Sequence, residues 1–164
     1  MSLERIESKA EEVLDALNVK SIPVPVEMIA DRMHIVIRRG PSKEFSGLLI
    51  RKDDRALIGV NSNEVAVRQR FTIAHELGHF LLHPKKDAFV DYRDNKSDVK
   101  RDPKERQANM FAAALLMPRK SLGKDFKSFA KNGFTEMELQ MLADKYQVSE
   151  DAMRFRLINL NLKP

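Results

Sequence analysis

Apolar residues recur at helical spacing at both ends of this chain and alternate with polar ones over a short stretch between. Leu3, Ile6, Ala10, Val13, Leu14 and Leu17 fall on one face among charged positions, so residues 3–17 are predicted to form an amphipathic helix. Pro23 and Pro25 interrupt it, and a short helix from Pro25 to Met33 leads into three candidate strands: His34–Arg38, Gly47–Arg51 and Ala56–Val60. The polar run Lys52-Asp53-Asp54-Arg55 joins the last two as a tight turn, which points to a small antiparallel sheet.

The second half reads as helices. Glu64–Leu82 is the first, with Asn63 as its expected N-cap and Pro84 closing it. Lys85–Arg101 is charged and has no sustained period, so a long loop is expected there, beside or over whatever site the protein carries. Asp102-Pro103 opens a helix that runs to Met117 with Ala108, Phe111, Ala112 and Leu115 on one stripe. Three more helices follow near Arg119–Lys131, Thr135–Tyr146 and Ser149–Leu160, separated by Asn132-Gly133 and by the capping signal at Ser149.

A length of 164 residues with 43% hydrophobic and 32% charged content is ordinary for one domain with a real core. There is no apolar run long enough to span a membrane and no basic-then-apolar leader, so a cytoplasmic protein is expected. The net charge of +5 allows a nucleic-acid partner, but the cations are interleaved with acids, and a mixed solvated surface explains them. Absence of cysteine excludes disulfides, thiolate metal sites and cysteine nucleophiles, which directs attention to the four histidines.

Two of them carry the chemistry. In Arg70–His83, RFTIAHELGHFLLH, His75 and His79 stand one helical turn apart, so both imidazoles face one way and can hold one metal ion. Glu76 is about 100° further round the helix, placed to act as a base beside the metal. Ile73, Ala74, Leu77, Gly78, Phe80 and Leu81 around them are uncharged, as a buried ligand helix requires. A catalytic zinc takes three protein ligands and keeps one position open. His83 lies two turns from His75, about 12 Å along the axis, too far to share the ion, and is read as a helix-end residue. Glu105 is the candidate third ligand, since Ala108, Asn109 and Ala112 extend its face with small or amide side chains. It also stands three residues after Asp102, the spacing of a capping box, so a purely local role competes.

With His75, Glu76, His79, Glu105, Asn109 and the terminal LLMP in view, the chain resembles the ImmA/IrrE family of metallopeptidases. The likeness is closest from Arg70 to Pro118. It implies that His75, His79 and Glu105 bind the metal and that Glu76 is the catalytic base. It implies Zn2+ as cofactor, with Mn2+ or another divalent ion acceptable to the same donors. The fold expected is α+β: a small antiparallel three-stranded sheet packed against a zincin-type helix pair in residues 1–120, followed by a helical segment, 121–164. The resemblance further implies a regulatory peptidase cutting a partner protein, typically a helix-turn-helix repressor of a phage, mobile element or stress-response operon. Tyr92 and His34 are the neutral candidates for the oxyanion donor.

Leu142–Leu157 itself resembles a helix-turn-helix, although Gln147 occupies the turn position usual for glycine and Arg156 an apolar one. Arg154 and Arg156 are placed to meet phosphate, whereas packing on the core accounts for the same stripe. The rival function is therefore a DNA-binding or repressor-binding regulator with a structural or sensory metal and no protease activity. An intact Glu76 has no use in such a protein.

Overall fold

The computed structural model describes residues 1–93 and 102–163. Helix α1 (Leu3–Ala16) and the short α2 (Val26–Arg32) precede strands β1 (Ile35–Gly40), β2 (Phe45–Lys52) and β3 (Arg55–Asn61). Then come α3 (Ala66–Leu82), β4 (Ala88–Tyr92), α4 (Pro103–Leu116), α5 (Arg119–Phe129), α6 (Glu136–Tyr146) and α7 (Glu150–Asn159). The fold is α+β, and none of the described helices is long and apolar enough to cross a membrane.

The sheet departs from the three antiparallel strands expected. It has four strands in the order β1-β3-β2-β4 and is mixed, because β1 runs parallel to β3 while β2 is antiparallel to both β3 and β4. The β2–β3 hairpin folds back so that β3 inserts beside β1, a non-local choice that alternation along one strand does not encode. Strand β4 lies inside the segment expected to be a loop. It is only five residues long and buries Phe89 as its one core side chain, too short a signal to stand out between charged flanks. The rest of that expected loop, residues 94–101, lies outside the described residues.

On β3, Ala56, Ile58 and Val60 alternate into the core, and α3 lies across β2 and β3 on that face. The approach is close at Gly47, where a Cβ would sit 2.2 Å from Thr72 Cγ2 and 3.2 Å from the Gly59 carbonyl oxygen. On its other side α3 meets α4, and a Cβ on Gly78 would come within 3.1 Å of Ala108 Cα. These two glycines let the sheet and α4 close on α3 from opposite directions. Helix α3 begins later than expected: Val65 takes the N-cap position without a side-chain bond, while Asn61 Oδ1 accepts from the backbone N–H of Asn63.

The helical C-terminus is fastened to the core by a buried ion pair. Arg156 of α7 binds Glu7 of α1 with both terminal guanidinium nitrogens, one pair at 3.0 Å, and its Nε donates to the Met117 carbonyl oxygen at 3.0 Å. Arg154 pairs with Glu136 instead, at 2.7 Å. The two arginines placed to meet phosphate are therefore engaged within the protein. Gln147 adopts a left-handed conformation, φ 54°, at the α6–α7 turn, which is the geometry glycine usually supplies there. Arg156→Ala strands the Glu7 carboxylate in the interior and is expected to cost roughly 3–5 kcal/mol in urea denaturation. The double substitution Glu7→Gln/Arg156→Met should recover most of that loss, and a single variant as stable as the parent would contradict the account.

Candidate metal centre

Three side chains from two helices converge on one point. Helix α3 supplies His75 and His79, whose Nε2 atoms are 3.1 Å apart, and α4 supplies Glu105 from its first turn. Glu105 Oε2 lies 3.0 Å from His75 Nε2, and its Oε1 lies 3.1 Å from His79 Nε2. One donor atom from each residue falls within 4.8 Å of the others. The capping alternative for Glu105 separates cleanly here. Asp102 Oδ1 caps the helix by accepting from the Lys104 N–H at 2.8 Å, while both Glu105 oxygens face imidazoles.

The remaining ring nitrogens are held from behind. Asn109 Oδ1 accepts from His75 Nδ1 at 2.8 Å, so the amide expected to line this face orients the first imidazole. His79 Nδ1 is 3.0 Å from His83 Nδ1, and His83 Nε2 donates to Gln107 Oε1 at 2.9 Å. His83 thus stays off the metal point, as its distance along the helix requires, but touches the site through His79. The His79 ring also stacks on Phe89 of β4, with centroids 3.8 Å apart. Neither Phe89 nor Gln107 was legible beforehand. Phe89 sits on the unrecognised strand, and Gln107 is two residues from Glu105 and so off its helical face.

The electrostatics describe a site short of positive charge. Desolvation alone would lower His75, but the hydrogen bond to Glu105 and the charges of Glu76, Asp91 and Glu105 together outweigh it and raise it to about 9. Desolvation dominates at His79 and, with the repulsion of His75, lowers it to about 4 despite Glu105. Burial opposes the charge on Glu105, yet the two histidines hold its carboxyl well below the usual range. Glu76 is fully buried, and burial first of all pushes it up to about 8. Both its oxygens lack a hydrogen-bond partner among the described residues. One carboxylate and two converging imidazoles, with an orphaned buried acid beside them, are a set that a divalent cation fits. With no cysteine in the chain, nitrogen and oxygen donors favour zinc and accept manganese.

A cleft of about 770 Å³ opens onto His75. Asp91 and Tyr92 of β4, Asn109 and Met110 of α4 and Phe155 of α7 line it. Tyr92 thus reaches the cleft. His34 does not: it is exposed at the start of β1 and lines a separate surface groove with Glu27 and Asp31.

Known proteins resemble this chain in sequence and in fold. The IrrE N-terminal-like domain family, Peptidase M78, matches residues 30–158. Metallopeptidase ImmA of Bacillus subtilis is 38% identical over 96 residues, 57% of this chain and 54% of that protein. The radiation response metalloprotease IrrE of Deinococcus deserti is 37% identical over 89 residues, covering 54% of this chain and 32% of its own length. Its counterpart in Deinococcus radiodurans is 32% identical over 102 residues, 62% and 30% of the two chains. The aligned stretches thus cover about half of ImmA and a third of each IrrE. A transcriptional regulator of Mycobacterium tuberculosis shares the fold, with a TM-score of 0.66 at 16% identity over 94% of this chain and 46% of that one. With the family match extending over most of its length, this chain belongs to the ImmA/IrrE family of metallopeptidases.

Proposed function

We propose that this protein is a regulatory metal-dependent endopeptidase of the cytoplasm, with His75, His79 and Glu105 as metal ligands and Glu76 as catalytic base. The observation that carries the reading is Glu76, a buried carboxylate with no hydrogen-bond partner among the described residues, adjacent in sequence to His75 at the convergence of three donors. A structural metal site has no need of such a group. When bound, zinc supplies Lewis-acid polarisation of the scissile carbonyl and of the attacking water.

The chain's own residues do the rest. Asn109 and the His83–Gln107 pair fix the two imidazoles with their Nε2 atoms toward the centre. Glu76 takes a proton from the attacking water and returns it to the leaving amine. Burial pushes this carboxyl up, and a divalent cation bound beside it would lower it again, toward the carboxylate that can accept a proton. Residues 1–120 form the metallopeptidase-like core in this reading. The helix-turn-helix-like segment 121–164 packs on it and contributes Phe155 to the substrate cleft.

The substrate is a folded partner protein, a helix-turn-helix repressor of a phage, mobile element or stress-response operon. The names of the relatives, one a radiation response metalloprotease, support a regulatory rather than a digestive role. Incubation with repressors encoded beside the gene, with zinc or manganese and with chelator, tests this by intact mass. A single metal-dependent cut is expected; a repressor left whole under all conditions would count against it.

The outer contacts give a separate expected result. His83→Leu removes the acceptor for the His79 Nδ1–H and should weaken zinc binding about 10–100-fold in competition with a chromophoric chelator. His83→Asn, whose amide oxygen can take the place of Nδ1, should keep most of the affinity. Equal zinc affinity in the leucine variant and the parent would show that His83 plays no part in orienting the ligand.

A further inference from the structure

The excess positive charge of this chain is not spread evenly over its surface. Arg119, Lys120, Lys124, Lys127 and Lys131, all exposed, line one groove of about 790 Å³ between α5 and the C-terminal Leu160 and Leu162. Five cations equal the net charge of the whole chain, so elsewhere cations and acids balance.

Local geometry concentrates them further. Lys120, Lys124 and Lys127 follow at i, i+4 and i+7, within about 60° of one another around the helix and about 10 Å along it. Leu122 and Phe126 bury the opposite face. Like charges at this spacing destabilise a helix, and nearby acids normally relieve them. Here none does. The single acid of α5, Asp125, is turned toward α6, where it binds Lys145 at 2.9 Å and accepts from the Tyr146 hydroxyl at 2.8 Å. None of the five groove cations takes part in an ion pair among the described residues.

We propose that the α5 groove binds the phosphate backbone of double-stranded nucleic acid, without reading its sequence. The row is mainly lysine, a point charge suited to successive phosphates, and about 10 Å of helix spans roughly three of them at 3.4 Å per nucleotide. The groove has no aromatic side chain on which an unpaired base would stack or with which an acidic protein segment would be anchored. This surface lies apart from the cleft at His75 and shares no lining residue with it. It takes over the role that the sequence offered to Arg154 and Arg156, and it is independent of whether the metal centre hydrolyses peptides.

The test is fluorescence anisotropy of the full chain with a labelled 20-base-pair duplex of arbitrary sequence across a salt series. Three phosphate contacts give a slope of log K against log salt of about −3, so affinity should fall roughly 40-fold from 50 to 200 mM salt. Lys124→Glu/Lys127→Glu should weaken binding more than about 10-fold at 50 mM and flatten the slope to about −1. Lys52→Glu/Arg55→Glu, the same charge change at the β2–β3 turn, should leave the slope intact. All four positions are exposed, and circular dichroism checks that each variant is folded. The proposal is overturned by absence of duplex binding at 50 mM, or by equal losses in the two double variants. Displacement of the duplex by polyglutamate at equal charge concentration would assign the groove to an acidic protein and overturn it too.

Discussion

Glu76→Gln is expected to abolish hydrolysis while leaving the metal in place. The amide is nearly isosteric with the acid and neutral, so it fits a pocket in which both carboxylate oxygens are buried without partners among the described residues. It cannot accept the proton of the attacking water. Loss of a positioned general base reduces turnover by about 10²–10⁴-fold, which takes a single regulatory cut below detection on the timescale at which the parent completes it. Zinc stoichiometry should be unchanged, because Glu76 supplies no atom to the converging group of His75, His79 and Glu105. The paired readout matters. Cleavage at the parental rate would remove Glu76 from the mechanism, whereas lost cleavage together with lost zinc would make it a ligand instead.

Glu105→Ala is expected to do the reverse and empty the site. Its two oxygens are the only carboxylate atoms within 3.1 Å of the histidine Nε2 atoms among the described residues. Without them two imidazoles remain, with Nε2 atoms 3.1 Å apart and, among the described residues, no carboxylate paired with either. Zinc affinity should fall by more than the roughly 10–100-fold that loss of an outer contact such as His83 produces. Metal content after gel filtration reads this directly. Stoichiometric zinc in the variant would send the search for the third ligand to Asp87 and Asp91, and to Asp94 and Asp98, which lie outside the described residues. Asp91 is the nearest alternative in kind, since it lines the same cleft and its charge is felt at His75.

What could be read from the sequence follows from how local each feature is. The pair His75 and His79 with Glu76 was legible because one helical turn fixes their relation, and the uncharged residues around them marked the helix as buried. Glu105 was not legible by spacing. Its position after Asp102 satisfied a capping rule as well as a ligand rule, and only the packing of α4 on α3 at Gly78 and Ala108 turns its carboxylate to the histidines. Strand order escaped for the same reason: parallel pairing of β1 with β3 is a relation between segments about twenty residues apart. Arg156 is the clearest case. Judged by its neighbours it belongs to a DNA-reading helix, but its partner Glu7 lies 149 positions away, and that contact buries it. The one acid among the α5 lysines in sequence, Asp125, is likewise turned toward α6 in space, a relation the sequence does not display.

The centre itself is tested most directly by diffraction from crystals grown with zinc, recorded above and below the zinc absorption edge. The account predicts one dominant anomalous peak within bonding distance, about 2.0–2.2 Å, of His75 Nε2, His79 Nε2 and a Glu105 carboxylate oxygen, with Glu76 unbound beside it. A peak elsewhere, or none at this point while zinc binds stoichiometrically in solution, would contradict it.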